Sequence, residues 1–352
     1  MSKILISGYY GFDNLGDELI LKAIIEHLRA LDPNMDITVI SASPWRTVNL
    51  HPSINSVSRM NIPHIIKALR QCELFISGGG GLLQDTTGQG SVLYYLGWGY
   101  IAKKIFHKKV MLYAQGIGPL NRSLSRSLVR RWLNKMDLIT LREDKSLELL
   151  RDLGINEGII KITADPVLGL AHPDCPSGAS RGKLGVGVVL RQDKEKLQSV
   201  KSWCDILLKM IHTCNVRVVL LPFQDPNDLK LSLAIKENLK DTVELEVWDK
   251  LTDIFAFYDE VDILVSMRLH ALILAAVCGK PMIGINYDPK IDNFLRLFRQ
   301  SAVGKERIIK KVEEAVVTKN AIVKEQNLLL ENLRNGAREN ARLALELINR
   351  ET

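Results

Sequence analysis

The sequence predicts an α/β protein made of two Rossmann-like domains with a C-terminal helical extension. Three observations carry this reading. Short apolar runs such as Lys3–Ser7 and Ile263–Ser266 alternate with longer segments of helical periodicity. The apolar runs end repeatedly in Gly, Arg or Asp, as strands do at the carboxyl edge of an open parallel sheet, where ligands bind. Residues 171–182, AHPDCPSGASRG, are rich in Pro, Gly and Ser and lack periodicity, so they read as a linker. The predicted organisation is an N-terminal domain over 1–170, a C-terminal domain over 183–305 and a helical segment over 306–352.

Lys3–Ser7 reads as the first buried strand. It runs into a loop, Gly8-Tyr9-Tyr10-Gly11-Phe12-Asp13-Asn14-Leu15-Gly16-Asp17-Glu18, and then a helix from Leu19 to about Leu31. The loop is neither G-x-G-x-x-G nor a P-loop, which speaks against a dinucleotide or nucleoside triphosphate. Asp17 and Glu18 stand where carboxylates complement a helix dipole. Asp36–Ser41 is the second strand and Leu74–Ser77 the next. The latter opens into four glycines, Gly78–Gly81, whose missing Cβ atoms either let backbone N–H groups approach an anion or allow close packing. Val110–Ala114 exits into Gln115-Gly116-Ile117-Gly118-Pro119, Leu138–Leu141 into Arg142-Glu143-Asp144-Lys145, and Ile160–Ile162 precedes Ala164-Asp165-Pro166.

The second half repeats the pattern. Strands are predicted over Leu184–Leu190, Arg217–Leu221, Val243–Val247, Ile263–Ser266 and Met282–Ile285. Helices are predicted over Leu197–Ile211, Pro226–Leu239 and Thr252–Tyr258, with an Ala- and Leu-rich helix after Arg268. The tail from Glu306 to Arg350 is amphipathic, with Gly336 as a point of kinking or division. Its Leu stripe is read as core packing.

The chemistry concentrates between Val265 and Ile291. One strand exit presents Arg268 and His270, and the next presents Lys290. Two fixed cations and one imidazole suit a small dianion whose reaction needs a proton. His27, His51, His64, His107, His172 and His212 are read as structural or exposed.

The 352 residues, 46% hydrophobic and 25% charged, suffice for two domains with a large core. No apolar run reaches the ~20 residues of a membrane-spanning helix. Lys3 leads directly into a strand, so no signal peptide is expected and the expected location is the cytoplasm. The five cysteines are scattered and never spaced C-x-x-C, which predicts reduced thiols and no structural zinc. The net charge of +7 is compatible with an anionic substrate or membrane surface. Nothing points to nucleic acid, and no D-x-D metal motif is present, so no essential metal is expected.

The Gly8–Glu18 loop, the Ser77–Gly81 run, Ala114-Gln115-Gly116-Ile117-Gly118-Pro119 and Ser266-Met267-Arg268-Leu269-His270-Ala271 together resemble the polysaccharide pyruvyl transferases, especially the bacterial enzymes that modify the wall polysaccharide anchoring S-layer proteins. The motifs span residues 4–291. The resemblance implies a GT-B-like fold and transfer of a pyruvyl group from phosphoenolpyruvate, a co-substrate rather than a cofactor. The product it implies is a ketal across O4 and O6 of a sugar, commonly N-acetylmannosamine. The acceptor would be a lipid-pyrophosphate-linked saccharide at the inner membrane face. Carried over by motif, the family's donor-site residues are Arg142, His270 and Lys290. Arg268, Gly11, Asn14, Asp17, Gly79, Gly80 and Gln115 are expected to bind substrate, with the N-terminal domain on the acceptor side and the C-terminal domain on the donor side. His270 would supply the proton, and Asp13 or Asp17 would deprotonate the attacking hydroxyl. Two other classes fit the same pattern: a GT-B glycosyltransferase using a nucleotide sugar, and a non-catalytic saccharide-binding module.

One charge asymmetry stands apart. Between Thr86 and Met136 there is no Asp or Glu, while Lys103, Lys104, Lys108, Lys109, Arg122, Arg126, Arg130, Arg131 and Lys135 all fall there, interleaved with Trp98, Tyr100, Phe106 and Trp132. A helix through Ser123–Asn134 would carry Arg122, Arg126 and Arg130 on one face. Cations mixed with such rings suit an anionic lipid surface, which predicts peripheral docking of the N-terminal domain; a plain solvated face is the alternative.

Overall fold

Strands of a parallel sheet are covered on both faces and therefore read as unbroken apolar runs. That property made the sheets legible. The computed structural model describes residues 2–86, 88, 90–172, 182–192 and 196–350. The chain forms two units: residues 1–13, 17–170 and 333–352 make unit 1, and residues 14–16 and 171–332 make unit 2.

Unit 1 alternates strand and helix: β1 (Lys3–Ser7), α1 (Leu15–Leu31), β2 (Asp36–Ser41), α2 (Pro44–Leu50), β3 (Asn55–Ser58), α3 (Ile62–Gln71), β4 (Leu74–Ser77), β5 (Gly80–Leu83), α4 (Gly90–Lys104), β6 (Lys109–Ile117), α5 (Ser123–Leu133), β7 (Leu138–Leu141), α6 (Asp144–Asp152) and β8 (Ile160–Ile162). The strands run parallel in the order β3-β2-β1-β4-β6-β7-β8, with β5 paired to the end of β6. The chain winds from β1 toward β3 in one direction and from β4 toward β8 in the other. The reversal between β1 and β4 is a switch point, where a parallel sheet opens a crevice.

Unit 2 holds β9 (Gly185–Val189), α7 (Lys196–Cys214), β10 (Arg217–Leu220), α8 (Asn227–Leu239), β11 (Glu244–Leu245), α9 (Leu251–Glu260), β12 (Ile263–Ser266), α10 (Leu269–Val277), β13 (Met282–Gly284) and α11 (Pro289–Leu297). Its parallel order is β11-β10-β9-β12-β13, with the switch between β9 and β12. Trp203, Leu207, Met210, Ile235 and Val265 are among its buried core. The last helix, α12 (Ile308–Asn349), is a single element; its residues to 332 belong to unit 2 and those from 333 to unit 1.

Several elements differ from the sequence expectation. Helix α1 begins at Leu15, not Leu19, because the Asn14 side chain accepts from Gly16 N at 3.2 Å and starts the turn. β3 was not anticipated: NSVS is short, polar and at the sheet edge. Helices α2 and α3 flank it and were also missed. The glycine run is not a four-residue loop, since Gly80 and Gly81 already belong to β5. β6 continues through Gln115 to Ile117 because β5 pairs with that end. The strand predicted over Val243–Val247 shrinks to Glu244–Leu245.

Gly336 does not divide α12. A methyl there would stand 3.3 Å from the Ala164 Cβ, so the bare Cα lets the helix lie against that loop. Asn340 secures the contact, accepting from Thr163 Oγ1 at 2.9 Å and donating to Ala164 O at 3.2 Å. Of the predicted linker, residues 173–181 lie outside the described residues. No helix among the described residues is long and apolar enough to cross a membrane.

Candidate active site

In unit 2 the candidate side chains stand beyond the carboxyl ends of three adjacent strands. β12 ends at Ser266, whose Oγ accepts from Arg268 N at 2.8 Å and donates to Arg268 O at 3.0 Å. This tight turn hands the chain to α10 and places His270 in its first turn. Helix α10 is buried from Ala271 to Val277, and the buried Tyr258 hydroxyl donates to Ala271 O at 2.7 Å, so the helix is rigidly seated. A methyl at Gly16 would stand 2.4 Å from His270 Nδ1. The imidazole therefore lies over a bare Cα.

Arg268 is committed. Its guanidinium donates to both carboxylate oxygens of Asp228, at 2.9 and 2.6 Å, and to Gln224 Oε1 at 3.0 Å. Asp228 is fully buried. A fork-to-fork pair of this kind is strong and directional, so Arg268 holds the turn before His270 in place.

Lys290 lies at the start of α11. The Asp288 side chain caps that helix by accepting from Lys290 N at 3.0 Å. Arg191, at the exit of β9, sits over the Tyr287 ring at 5.1 Å from its centroid. This cation directly follows the strand predicted over Leu184–Leu190. The same signal, a charge at a strand's carboxyl end, would have placed it in the site, because β9 lies beside β12.

In unit 1, Arg142 follows β7. It donates to Asp165 Oδ2 at 2.5 Å, with both side chains buried to 6% exposure. It lies over Gly116, where a Cβ would meet Arg142 Nε at 3.1 Å and Glu143 Oε1 at 2.9 Å. Gln115 is fully buried, and its amide donates to the carbonyls of Ser77 (3.3 Å) and Gly78. It fixes the start of the glycine run. Gly78 and Gly79 make room for neighbours: Cβ atoms there would stand 2.0 Å from the Tyr10 hydroxyl and 2.9 Å from Ile20 Cγ2. Gly80 differs. Its φ of +103° requires glycine, and Asp17 Oδ1 lies 3.3 Å from where its Cβ would be.

Gly11 (φ +74°) turns the chain beneath the loop, and its N–H donates to the buried Glu18 Oε1 at 2.8 Å. Glu18 Oε2 faces His51 Nε2 at 3.3 Å. Asp13, itself at φ +52°, accepts from Arg46 Nε at 3.2 Å. Asn14, counted with unit 2, pairs in an isolated bridge with Gln224, the residue that also accepts from Arg268. Thus His270, Arg268, Lys290 and Asn14 belong to unit 2, and Arg142, Gly11, Asp17, Gly79, Gly80 and Gln115 to unit 1. Among the described residues, no three His, Cys, Asp or Glu side chains are grouped to hold a metal ion.

Both sheets are parallel, and each has a switch point at its carboxyl edge. The chain belongs to the polysaccharide pyruvyl transferase family, whose model matches residues 14–289. No curated protein sequence matches it. Among solved structures it is similar to HepE of Anabaena in complex with UDP and glucose (16% identity, TM-score 0.68, covering 99% of each chain). It is likewise similar to S. aureus MnaA bound to UDP (12% identity, TM-score 0.66, 100% of this chain and 99% of that one). A third is the UDP-GlcNAc 2-epimerase of Neisseria meningitidis bound to UDP-GlcNAc (12% identity, TM-score 0.66, 98% and 100%). At these identities the likeness is one of fold: GT-B-like, with two parallel α/β sheets and a long C-terminal helix.

Proposed function

We propose that this protein transfers the pyruvyl group of phosphoenolpyruvate to a saccharide diol, forming a cyclic 4,6-ketal and releasing phosphate. The acceptor in this reading is β-N-acetylmannosamine of a lipid-linked wall-polysaccharide precursor of the kind that anchors S-layer proteins. The supporting observation is His270, in the first turn of a rigid helix at the unit 2 switch point, within a family match over residues 14–289. Phosphoenolpyruvate is a compact polyanion, and Lys290 and Arg191 stand beyond the ends of the two strands that flank β12. Arg142 completes the donor-site set by family motif.

In the reaction, His270 protonates C3 of the enol, and the positive charge develops at C2. One sugar hydroxyl attacks C2, the C2–O bond to phosphate breaks, and the second hydroxyl closes the ring. The two hydroxyl protons balance the one given to C3 and the one carried away on phosphate. Asp13 or Asp17 accepts from the attacking hydroxyl. An acid–base group of this type contributes roughly 10²–10⁴-fold in rate.

The test is incubation with phosphoenolpyruvate and a synthetic β-N-acetylmannosaminide disaccharide, with mass detection of product and assay of phosphate. A ketal product with equal phosphate is expected. Turnover only with a UDP sugar would overturn the proposal. The lipid-linked acceptor also gives the basic stretch a use: Arg122, Arg130, Arg131 and Lys135 on and beside α5 are exposed, as are Leu124 (52%) and Ile105 (62%). Unit 1 docks through this face on an anionic leaflet, each cation contributing ~1 kcal/mol. Co-sedimentation with anionic but not neutral vesicles, lost at high salt, is the expected result; equal binding to both would refute it.

A further inference from the structure

The switch point of unit 1 carries a cluster that the donor chemistry does not use. Tyr9 and Phe12, in the loop after β1, stack with centroids 4.1 Å apart and planes 10° apart. Arg59 directly follows β3, where its N–H donates to Ser41 O at 2.8 Å. Its guanidinium lies 5.1 Å from the Phe12 centroid and 4.6 Å from that of Tyr94 on α4. Tyr94 in turn meets Tyr95 and Trp98 edge-on. One cation is thus gripped by rings from two different elements, at the carboxyl edge of the sheet.

No described carboxylate forms an ion pair with Arg59. Two other arginines of this unit are neutralised: Arg46 by Asp13 and Arg142 by Asp165. A guanidinium stacked on aromatic faces keeps its planar N–H edge for a ligand, and that fork matches carboxylate or phosphate. The rings hold it in place beforehand, so little side-chain entropy is lost when an anion arrives.

The surroundings narrow the ligand. Burial raises the Tyr9 phenol, and Asp17 raises it further while Arg59 lowers it. The Tyr95 phenol is also raised by burial first, with Arg59 and Asp17 again opposed. An acid and a cation therefore act on the same two rings. A small polyanion such as phosphoenolpyruvate would meet Asp17 unfavourably. A ligand with one anionic group for Arg59 and an otherwise uncharged body avoids that repulsion. A sugar also offers an apolar C–H face to an aromatic ring, whose face is the negative side of its quadrupole.

We propose that Arg59, clamped between Phe12 and Tyr94, is the anion-binding group of the acceptor subsite and holds a phosphoryl group attached to the saccharide. The term acceptor rests on the function proposed above; the preference for a phosphorylated sugar does not. The subsite is independent of His270 and Lys290, and it recognises the junction between sugar and phosphate rather than the reacting hydroxyls.

The test is calorimetric binding of two probes, N-acetylmannosamine 1-phosphate and methyl β-N-acetylmannosaminide, to the full-length protein. Wild type should bind the phosphorylated probe about tenfold tighter or more, as expected of a hydrogen-bonded charge pair, and the preference should shrink with added salt. Arg59→Gln should bind both probes alike, with affinity for the methyl glycoside within about twofold of wild type and an unchanged melting temperature. Arg59→Lys should retain part of the preference. Equal binding of both probes by wild type, binding of neither, or a preference that survives in folded Arg59→Gln would each overturn the subsite. If the preference follows Arg59 but phosphoenolpyruvate yields no ketal, the subsite stands and the donor reading falls. If the ketal forms and the preference ignores Arg59, the reverse holds.

Discussion

The two switch points of this molecule are built from different materials. At the edge of unit 2, β9, β12 and β13 end in Arg191, Arg268 with His270, and Lys290, and the surroundings are polar and cationic. At the edge of unit 1, β1 and β4 end in glycines, stacked rings and acids, with Arg59 held by the rings. A compact anion with a proton to gain suits the first. A larger ligand with an apolar face, hydroxyls and one charge suits the second. The shared topology supplies the crevice, and the side chains decide what enters it.

The largest effects are expected where this contrast is sharpest. His270→Gln should lower kcat by roughly 10²–10⁴-fold while the melting temperature stays put, since the residue is only partly buried and fills no core space. Steady-state rates and thermal melting together check this; a folded variant with wild-type kcat would remove His270 from the mechanism. Gly16→Ala should act through the same group. Gly16 is not among the positive-φ glycines, so alanine is tolerated by the backbone, yet its Cβ would stand 2.4 Å from His270 Nδ1. A fall in kcat with little loss of stability is expected. Unchanged kcat would mean that the imidazole position is not critical.

The cations should separate into two kinds. Lys290→Ala should weaken phosphoenolpyruvate binding with little change in stability. Arg142→Ala should weaken it too, but it also strands Asp165 in a buried site, at about 3–5 kcal/mol of stability. Arg268→Ala should behave like Arg142→Ala in melting, because Asp228 is left buried without its partner. Calorimetry with the donor alone and denaturant melts distinguish binding from structure. Equal stability loss in all three would contradict the division.

The smallest effect lies away from both edges. Asp85 is buried; desolvation alone would raise its carboxyl, but the amides of Asn121 and Arg122 donate to it at 2.9 and 2.8 Å and hold it below the usual range. A group with a depressed folded pKa stabilises above its unfolded value, about 3.9, and the benefit is lost as pH falls through the lower folded value. Asp85→Asn should therefore cost about 1.5–3 kcal/mol at neutral pH and almost nothing in strong acid. Melts across pH check the convergence.

Much of the fold was legible because buried parallel strands leave continuous apolar runs, and the ends of β1, β2, β4, β7 and β12 fell where those runs predict. What escaped has physical reasons. β3 is a polar edge strand, and α4 contains Gly97 and Gly99 among aromatic and β-branched residues, so neither propensity nor periodicity marks it. Among the candidate residues, His270, Arg268, Arg142 and Lys290 could be named from strand exits and motifs, but not their partners. That Arg268 is locked to Asp228, forty positions earlier, and Arg142 to Asp165 depends on tertiary neighbours no local pattern records. Arg59 was invisible for the same reason: its significance comes from two rings brought to it by β1 and α4.

The central claim is that His270 delivers a proton to the donor during pyruvyl transfer. It is tested most directly by running the reaction in deuterated water with phosphoenolpyruvate and the synthetic disaccharide, and reading the product by mass and NMR. The account predicts a ketal whose methyl group carries one solvent deuteron, phosphate in equal amount, and ketal formation slowed roughly 10²–10⁴-fold in folded His270→Gln. An acceptor left unmodified by wild-type protein, with UDP released from a UDP sugar instead, would contradict it.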